Sequence, residues 1–149
     1  MKLTNILGYA GLLPFVLLPL AYHMQWHMHW LAGSAPLLQL YQLYSALILG
    51  FMAGVLWPVL HQQHNSAAEN KLALLAVSFP VVSIVSLALL PGYFLLLQAL
   101  LFLLLRIAEF GSGINRHYSK DYQNLRNALT LVVVISHIVM YVVLTLSVA

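Results

Sequence analysis

Five long apolar stretches, separated by short polar or turn-forming segments, make up most of this chain. They cover approximately residues 6–22, 40–60, 72–90, 93–110 and 127–148. A transmembrane helix uses about 20 consecutive apolar residues, so each stretch predicts one spanning helix. The predicted fold class is therefore all-α: a polytopic membrane helix bundle of about five transmembrane helices, in a single integral membrane domain over residues 1–149.

Local signals refine two of these helices. Pro14 and Pro19 interrupt the first apolar stretch, and a proline inside a helix removes a backbone hydrogen bond, so a kinked or broken helix is expected there. Residues 111–113 (GSG) end the fourth stretch. Ser119 can cap a helix that continues into the fifth.

The composition excludes several classes of protein. Only 6% of the 149 residues are charged, against about 25% in an ordinary soluble domain, and the mean hydropathy is +0.92. The net charge of +3 comes from scattered residues and not from a basic patch, so nucleic acid is not an expected partner. The chain has no cysteine and no recognisable catalytic motif. We therefore expect no enzymatic activity and no cofactor.

The basic residues predict the orientation in the membrane. With five spans, one side of the bilayer carries the N-terminus and the segments around 61–71 and 106–126, and all six basic residues lie on that side: Lys2, Lys71, Arg106, Arg116, Lys120 and Arg126. Cytoplasmic loops are enriched in Lys and Arg. This distribution predicts a cytoplasmic N-terminus and an external C-terminus.

Small residues recur along the second predicted helix. Ala46, Gly50 and Gly54 are four residues apart and share one face. Such a face lets another backbone approach closely, which is how helices pack in lipid. We interpret it as a packing surface, with a close-approach ligand site as the alternative.

The fifth predicted helix carries a polar stripe formed by Thr130, His137, Tyr141 and Thr145. His137 lies roughly 16 Å beyond Arg126 along a helix, near the bilayer centre. An ionisable side chain at that depth is costly and should face protein or water. One interpretation is a proton relay or substrate contact at His137 and Tyr141. The other is a neutral histidine hydrogen-bonded to a neighbouring helix, for example to Ser83 or Ser86.

Three histidines occur close together after the first apolar stretch. His23, His27 and His29, with Met24 and Met28 between them, are weak candidates for a site that binds a soft metal such as copper. No cysteine or carboxylate lies nearby. The alternative is an interfacial segment whose histidines are incidental, and on this basis no metal site is predicted.

The other charged residues favour structural roles. Arg106 and Glu109 are three residues apart on the fourth predicted helix and can pair, while Arg106 can extend towards the lipid headgroups. Arg116, Lys120 and Arg126 are expected to contact anionic headgroups.

Three segments also resemble a known family. Residues 7–15 (LGYAGLLPF) are similar to its opening helix, residues 44–57 (YSALILGFMAGVLW) to its central signature, and residues 122–130 (YQNLRNALT) to the entry of its last helix. The family is the domain of unknown function 3429, which includes transmembrane protein 69. The resemblance implies a small multi-pass protein of bacterial inner or mitochondrial membranes, without an assigned activity.

The chain departs from that signature at three positions. Gly50, Ala53 and Leu56 stand where the family usually has Ser, Gly and His. If that histidine has a chemical role in the family, this chain lacks the residue for it.

These observations favour a small inner-membrane protein with a structural or accessory role. Its expected partners are the lipid bilayer and either another membrane protein or further copies of itself. One alternative is a small-solute or proton-coupled carrier that acts as an oligomer, with its site around Gly50, His137 and Tyr141. Another is a metal- or haem-binding membrane subunit that uses His23, His27 and His29.

The orientation can be tested with single cysteines, because the natural chain contains none. We expect Lys2→Cys and Ala149→Cys to react with a membrane-impermeant thiol reagent from opposite sides of the bilayer. Permeabilised membranes provide the control for reactivity. Labelling of both positions from the same side would contradict both the orientation and the odd number of spans.

Overall fold

A computed structural model describes residues 3–25, 35–56 and 66–148 of the protein. Apart from turns and bends, the described residues form helices, which we number in chain order. They are α1 (Leu3–Ala10), α2 (Leu13–His23), α3 (Ala35–Gly54), α4 (Ser66–Leu89), α5 (Phe94–Gly111), a 3₁₀ turn (Ile114–His117) and α6 (Lys120–Val148).

The prediction of an all-α fold with five helices of membrane-spanning length is confirmed, while the predicted end of the second span at residue 60 lies outside the described residues. Five segments are long and apolar enough to cross a membrane: Ile6–His23, Leu37–Gly54, Asn70–Leu89, Phe94–Gly111 and Lys120–Ser147. The largest difference is in the last helix, which begins at Lys120 and not near residue 127. The Tyr122 amide donates to Ser119 Oγ over 3.3 Å, so Ser119 caps this helix as expected.

Three helices each pack against three others. α3 packs against α2, α4 and α5, α5 packs against α3, α4 and α6, and α6 packs against α1, α2 and α5. Their inward faces meet in one apolar core, whose most deeply buried members include Phe15, Leu49, Phe102, Leu105, Val133 and Met140. Many of the remaining large apolar side chains are exposed, as expected where lipid is the surrounding solvent.

The first span is broken, and the break lies just before the first proline. α1 ends at Ala10, and α2 begins at Leu13 with Pro14 in its first turn, where the missing amide proton is not needed. The break leaves the Gly11 carbonyl available, and Tyr44 Oη donates to it over 2.8 Å. A side chain of α3 therefore stabilises the interruption in the first span.

Pro19 leaves a second backbone carbonyl without its helical partner. In a regular helix the Phe15 carbonyl would accept from the amide of residue 19, but Pro19 has no amide proton. Ser136 Oγ, on α6, donates to the Phe15 carbonyl instead. Because that proton is used, the Tyr41 hydroxyl is the donor in its 2.8 Å hydrogen bond with Ser136 Oγ. This relay links α3 and α6 to the proline-containing α2.

Glycines permit one close approach and one sharp turn. A Cβ atom added to Gly8 would lie 2.7 Å from Leu125 Cδ2, so α1 and α6 approach closely at this point. Gly113, after the end of α5, has a φ of +76°, a conformation that glycine adopts readily. The predicted end of the fourth helix at residues 111–113 is confirmed.

The relay predicts an unequal effect of two serine substitutions on α6. Ser136→Ala removes the donor to the Phe15 carbonyl, and an unsatisfied buried polar group costs about 1–3 kcal/mol. We expect the free energy of unfolding in mild detergent to fall by about that amount. Ser147→Ala is the control, since Ser147 is exposed and donates only to the Leu144 carbonyl of its own helix. Equal effects of the two substitutions would contradict the relay.

Candidate functional site

Two clusters of polar side chains lie inside the described part of the bundle, besides the hydrogen-bonded pair of Ser83 and Gln98 between α4 and α5. The histidine cluster consists of Tyr41, Ser45, Ser136 and His137 and joins α3 to α6. The arginine cluster consists of Arg106, Glu109, Asn115, Arg126 and Asn127, near the turn between α5 and α6. These clusters are the places where this apolar protein concentrates polar chemistry.

Both ring nitrogens of His137 have hydrogen-bond partners. Nδ1 lies 2.7 Å from the Val133 carbonyl oxygen, which can only accept, so Nδ1 carries the proton. In the neutral ring Nε2 is then an acceptor, and the Ser45 hydroxyl donates to it over 2.7 Å. The neutral histidine is fully satisfied, and this hydrogen bond ties α6 to α3.

Aromatic rings surround the His137 imidazole. The ring centroids of Phe15, Tyr41 and Phe102 lie 5.7, 5.1 and 5.9 Å from that of His137, and His137 is 0% exposed. Within the described residues the His137 side chain has no exposed face, although Ser136 borders a cavity between α2 and α6. This arrangement suits a structural contact between helices better than a path for protons.

The sequence predicted a different partner for His137. Ser83 donates to Gln98 Oε1 over 2.8 Å, and Ser86 donates to the carbonyl oxygen of Ser83. Neither serine bonds His137, because both lie on α4 and face α5 or their own helix, while α3 is the neighbour of α6 at this level. The expectation of Ser83 or Ser86 was therefore wrong, and Ser45 takes that place.

The polar stripe on α6 does not form a single site. Thr130 Oγ1 donates to the Arg126 carbonyl, and Thr145 Oγ1 donates to the Val142 carbonyl. Tyr141 is half-buried one turn beyond His137 and borders a separate cavity near Pro91. Each threonine satisfies its hydroxyl within its own helix, so only His137 connects the stripe to the bundle interior by a side-chain hydrogen bond within the described residues.

The small residues of α3 face different surroundings. Ala46 is buried, and a Cβ atom on Gly50 would lie 3.6 Å from Pro80 Cβ on α4. At Gly54 a Cβ atom would meet nothing within 4 Å among the described residues. Two of the three positions thus face the interior of the chain, whereas no described residue lies within 4 Å of a Cβ atom at Gly54.

The candidate histidines for metal binding are only partly described. His23 is exposed at the end of α2. His27 and His29 lie outside the described residues. Over residues 3–25, 35–56 and 66–148, no group of three or more His, Cys, Asp or Glu side chains is arranged to hold a metal ion.

Glu109 forms the centre of the arginine cluster. It is 0% exposed, and its Oε2 atom accepts a 2.7 Å hydrogen bond from Arg106 Nη1 within α5. Arg126 reaches it from α6 and forms a second ion pair with it. The predicted pairing of Arg106 with Glu109 is confirmed. Because Arg126 also pairs with Glu109, the ion-pair network joins α5 to α6.

Other polar groups complete the cluster. Arg106 donates to Asn127 Oδ1 and Asn115 Oδ1 over 2.8 and 2.9 Å. Arg126 Nη2 donates to the Met52 carbonyl over 3.3 Å, near the end of α3, where carbonyls lack helical partners and favour a cation. The cluster therefore holds together α3, α5, α6 and the turn between α5 and α6.

Two expectations from the sequence were wrong in this region. Arg126 is 2% exposed and does not extend to lipid headgroups, because Glu109 and the Met52 carbonyl bind it inside the bundle. Arg106 is 6% exposed and is held by the same carboxylate. Arg116 and Lys120 are exposed, as a role at the membrane surface requires.

Tyr118 lies in the turn beside the cluster. Its ring packs edge-on against Tyr122, with centroids 4.8 Å apart, and its buried hydroxyl has no hydrogen-bond partner among the described residues. Burial raises the pKa of Tyr118 to about 12, with a further increase from Tyr122 and an opposing effect of the Arg106 charge. Tyr118 is thus a neutral donor in the electrostatic field of Arg106.

A family model described as "Protein of unknown function (DUF3429)" matches residues 1–142. The chain belongs to this family. Both clusters lie within the matched residues, and the resemblance noted from the three sequence segments is confirmed. Searches of curated proteins and of solved structures found no match. The description of the family assigns no biochemical activity.

The arginine cluster predicts that Glu109 is essential for stability. Glu109→Gln leaves Arg106 and Arg126 buried without a counter-charge, and breaking a buried ion pair costs about 3–5 kcal/mol. We expect the free energy of unfolding in detergent to fall by that order. The matched control is Asp121→Asn, which removes the same charge from an exposed position at the same end of the bundle and should have little effect. Similar losses for both variants would contradict the central role of Glu109.

Proposed function

We propose that this protein is an accessory or structural component of a membrane, without enzymatic activity of its own. Its helical bundle would associate in the membrane with another membrane protein or with a further copy of itself. The bacterial inner membrane, or the mitochondrial inner membrane in a eukaryote, is the proposed location. The proposed orientation has the arginine cluster towards the cytoplasm or matrix.

The enclosure of His137 is the observation that carries this proposal. An intramembrane histidine is by default a candidate for transport, but here both ring nitrogens bond groups of α3 and α6 and aromatic rings surround the imidazole. The other polar groups of the histidine cluster also bond one another or freed backbone carbonyls. The polar interior is thus engaged in joining helices.

A carrier would need a different arrangement. Its site would have to meet water from at least one side of the membrane, and carriers typically place polar groups around a midplane cavity. Ser45→Cys offers a direct comparison, since reaction of that thiol with a water-soluble reagent would support a carrier. The exposed Ser119→Cys is the positive control. We expect the cysteine at position 45 to stay unmodified.

The accessory role is tested by gentle extraction after chemical crosslinking in the native membrane. We expect the chain to be recovered with a stoichiometric protein partner or as a defined oligomer. Gly54→Leu should reduce that recovery if the partner's helix approaches the space beside Gly54. Gly111→Leu is the matched control, because it also fills open space at a helix end but lies on α5.

Two outcomes would contradict this proposal. One is quantitative recovery of the uncrosslinked monomer from native membranes under conditions that preserve other membrane complexes. The other is an equal response to Gly54→Leu and Gly111→Leu, which would remove the case for contact beside α3. Gly50→Leu is unsuitable here, because a Cβ atom at position 50 would already contact Pro80 on α4, so a larger side chain would also change packing within the chain.

A further inference from the structure

The arginine cluster has more positive charge than its described partners neutralise. Two arginines share the single carboxylate of Glu109, which leaves one net positive charge at side chains that are 0–6% exposed. A buried charge is costly unless it is paired. We propose that this cluster, together with Tyr118, binds the phosphate group of an anionic phospholipid.

Two donors are available for such a ligand. Arg106 uses Nε and Nη1 for Asn127, Glu109 and Asn115, while its buried Nη2 has no acceptor among the described residues. The Tyr118 hydroxyl is likewise buried and without a partner in that part of the chain. Asn115 connects the two residues, because its Oδ1 accepts from Arg106 Nη1 and its backbone carbonyl accepts from the Tyr118 amide.

The chemistry of these groups selects an anionic acceptor. A guanidinium group only donates hydrogen bonds, and its planar geometry matches phosphate or carboxylate oxygens. Tyr118, neutral because burial raises its pKa to about 12, can donate its hydroxyl proton to the same ligand. One phosphate diester would supply both the missing acceptors and the single negative charge that balances the cluster.

The position of the cluster favours a lipid as the source of this phosphate. Arg106 lies in the last part of a span that ends at Gly111, so the cluster is close to the level at which the headgroup region of a bilayer begins. The ring of Phe110 lies 4.2 Å over the Arg106 guanidinium and is itself 54% exposed. An exposed aromatic ring therefore packs on one face of this cation.

A neighbouring groove can accommodate an acyl chain. It has a volume of about 350 Å³ between α1, α3 and α6, and most of its lining is apolar, within the size range of ligand pockets. Tyr122 and Arg126 form part of its wall. The groove thus extends from apolar helix surfaces to Arg126, one of the two arginines that share Glu109.

The test measures lipid binding by the full chain in micelles that also contain neutral phosphatidylcholine. Phosphatidylglycerol should bind and raise the temperature of unfolding, whereas added phosphatidylcholine and inorganic phosphate should not. Hydrogen bonds to charged groups are strong enough that losing one weakens binding by about tenfold or more. Arg106→Gln should therefore weaken phosphatidylglycerol binding by at least about tenfold.

Tyr118→Phe separates binding from folding, because it removes only a hydroxyl group that has no partner in the described structure. We expect this variant to fold like the natural chain without added lipid and to lose a large part of the phosphatidylglycerol response. Arg116→Gln is the matched control: it removes an exposed arginine nearby and should retain the response. The experiment needs no protein partner, so its result is independent of the proposed accessory role.

Three results would overturn the proposal. The first is stabilisation by inorganic phosphate or phosphatidylcholine that equals the stabilisation by phosphatidylglycerol. The second is a full response of Tyr118→Phe to phosphatidylglycerol. The third is an equal loss of that response in Arg116→Gln and Tyr118→Phe, which would assign the effect to general surface charge.

Discussion

The scarcity of water inside a bilayer is the constraint on which this structure depends. In lipid, each polar backbone or side-chain group must find its partner within the protein. The first span violates the regular helical pattern at Gly11 and at Pro19, and in both places a hydroxyl from another helix supplies the missing hydrogen bond. Tyr44 and Ser136 therefore supply hydrogen bonds to carbonyls that the proline-containing first span leaves free, although both residues are distant from that span in the sequence.

The two buried clusters both supply partners for polar groups that cannot reach water, at different depths in the bundle. Around His137 the groups are neutral, and their hydrogen bonds close on one another or on freed carbonyls. Around Glu109 the groups are charged, and the pairing is incomplete by one positive charge. This difference explains why we assign a structural role to the first cluster and a ligand to the second. A satisfied neutral network has no need of a further partner, whereas an excess cation does.

Part of each cluster could be predicted from the spacing of residues along a single helix. Arg106 and Glu109 lie three residues apart on one helix, so their pairing follows from helical geometry. The depth of His137 along the last span indicated that it faces protein. The partners from other helices were not accessible in this way. Ser45 is 92 residues from His137, and Arg126 is 17 residues from Glu109. Arg126 lies in the segment that resembles the family, yet its position in the sequence suggested only contact with lipid headgroups.

The sequence by itself determined that lipid surrounds the protein, the fold class and the approximate positions of the spans. The lengths of the apolar stretches and the shortage of charged residues can be read directly along the chain. It also indicated the interruption of the first helix, since proline lacks an amide proton whatever its surroundings. Only the tertiary structure decided that Arg126 turns inward, that Ser45 binds His137 and that Gly50 faces Pro80. Those contacts depend on the rotation and depth of each helix relative to its neighbours. Hydropathy does not encode these two quantities, because nearly every face of these helices is apolar.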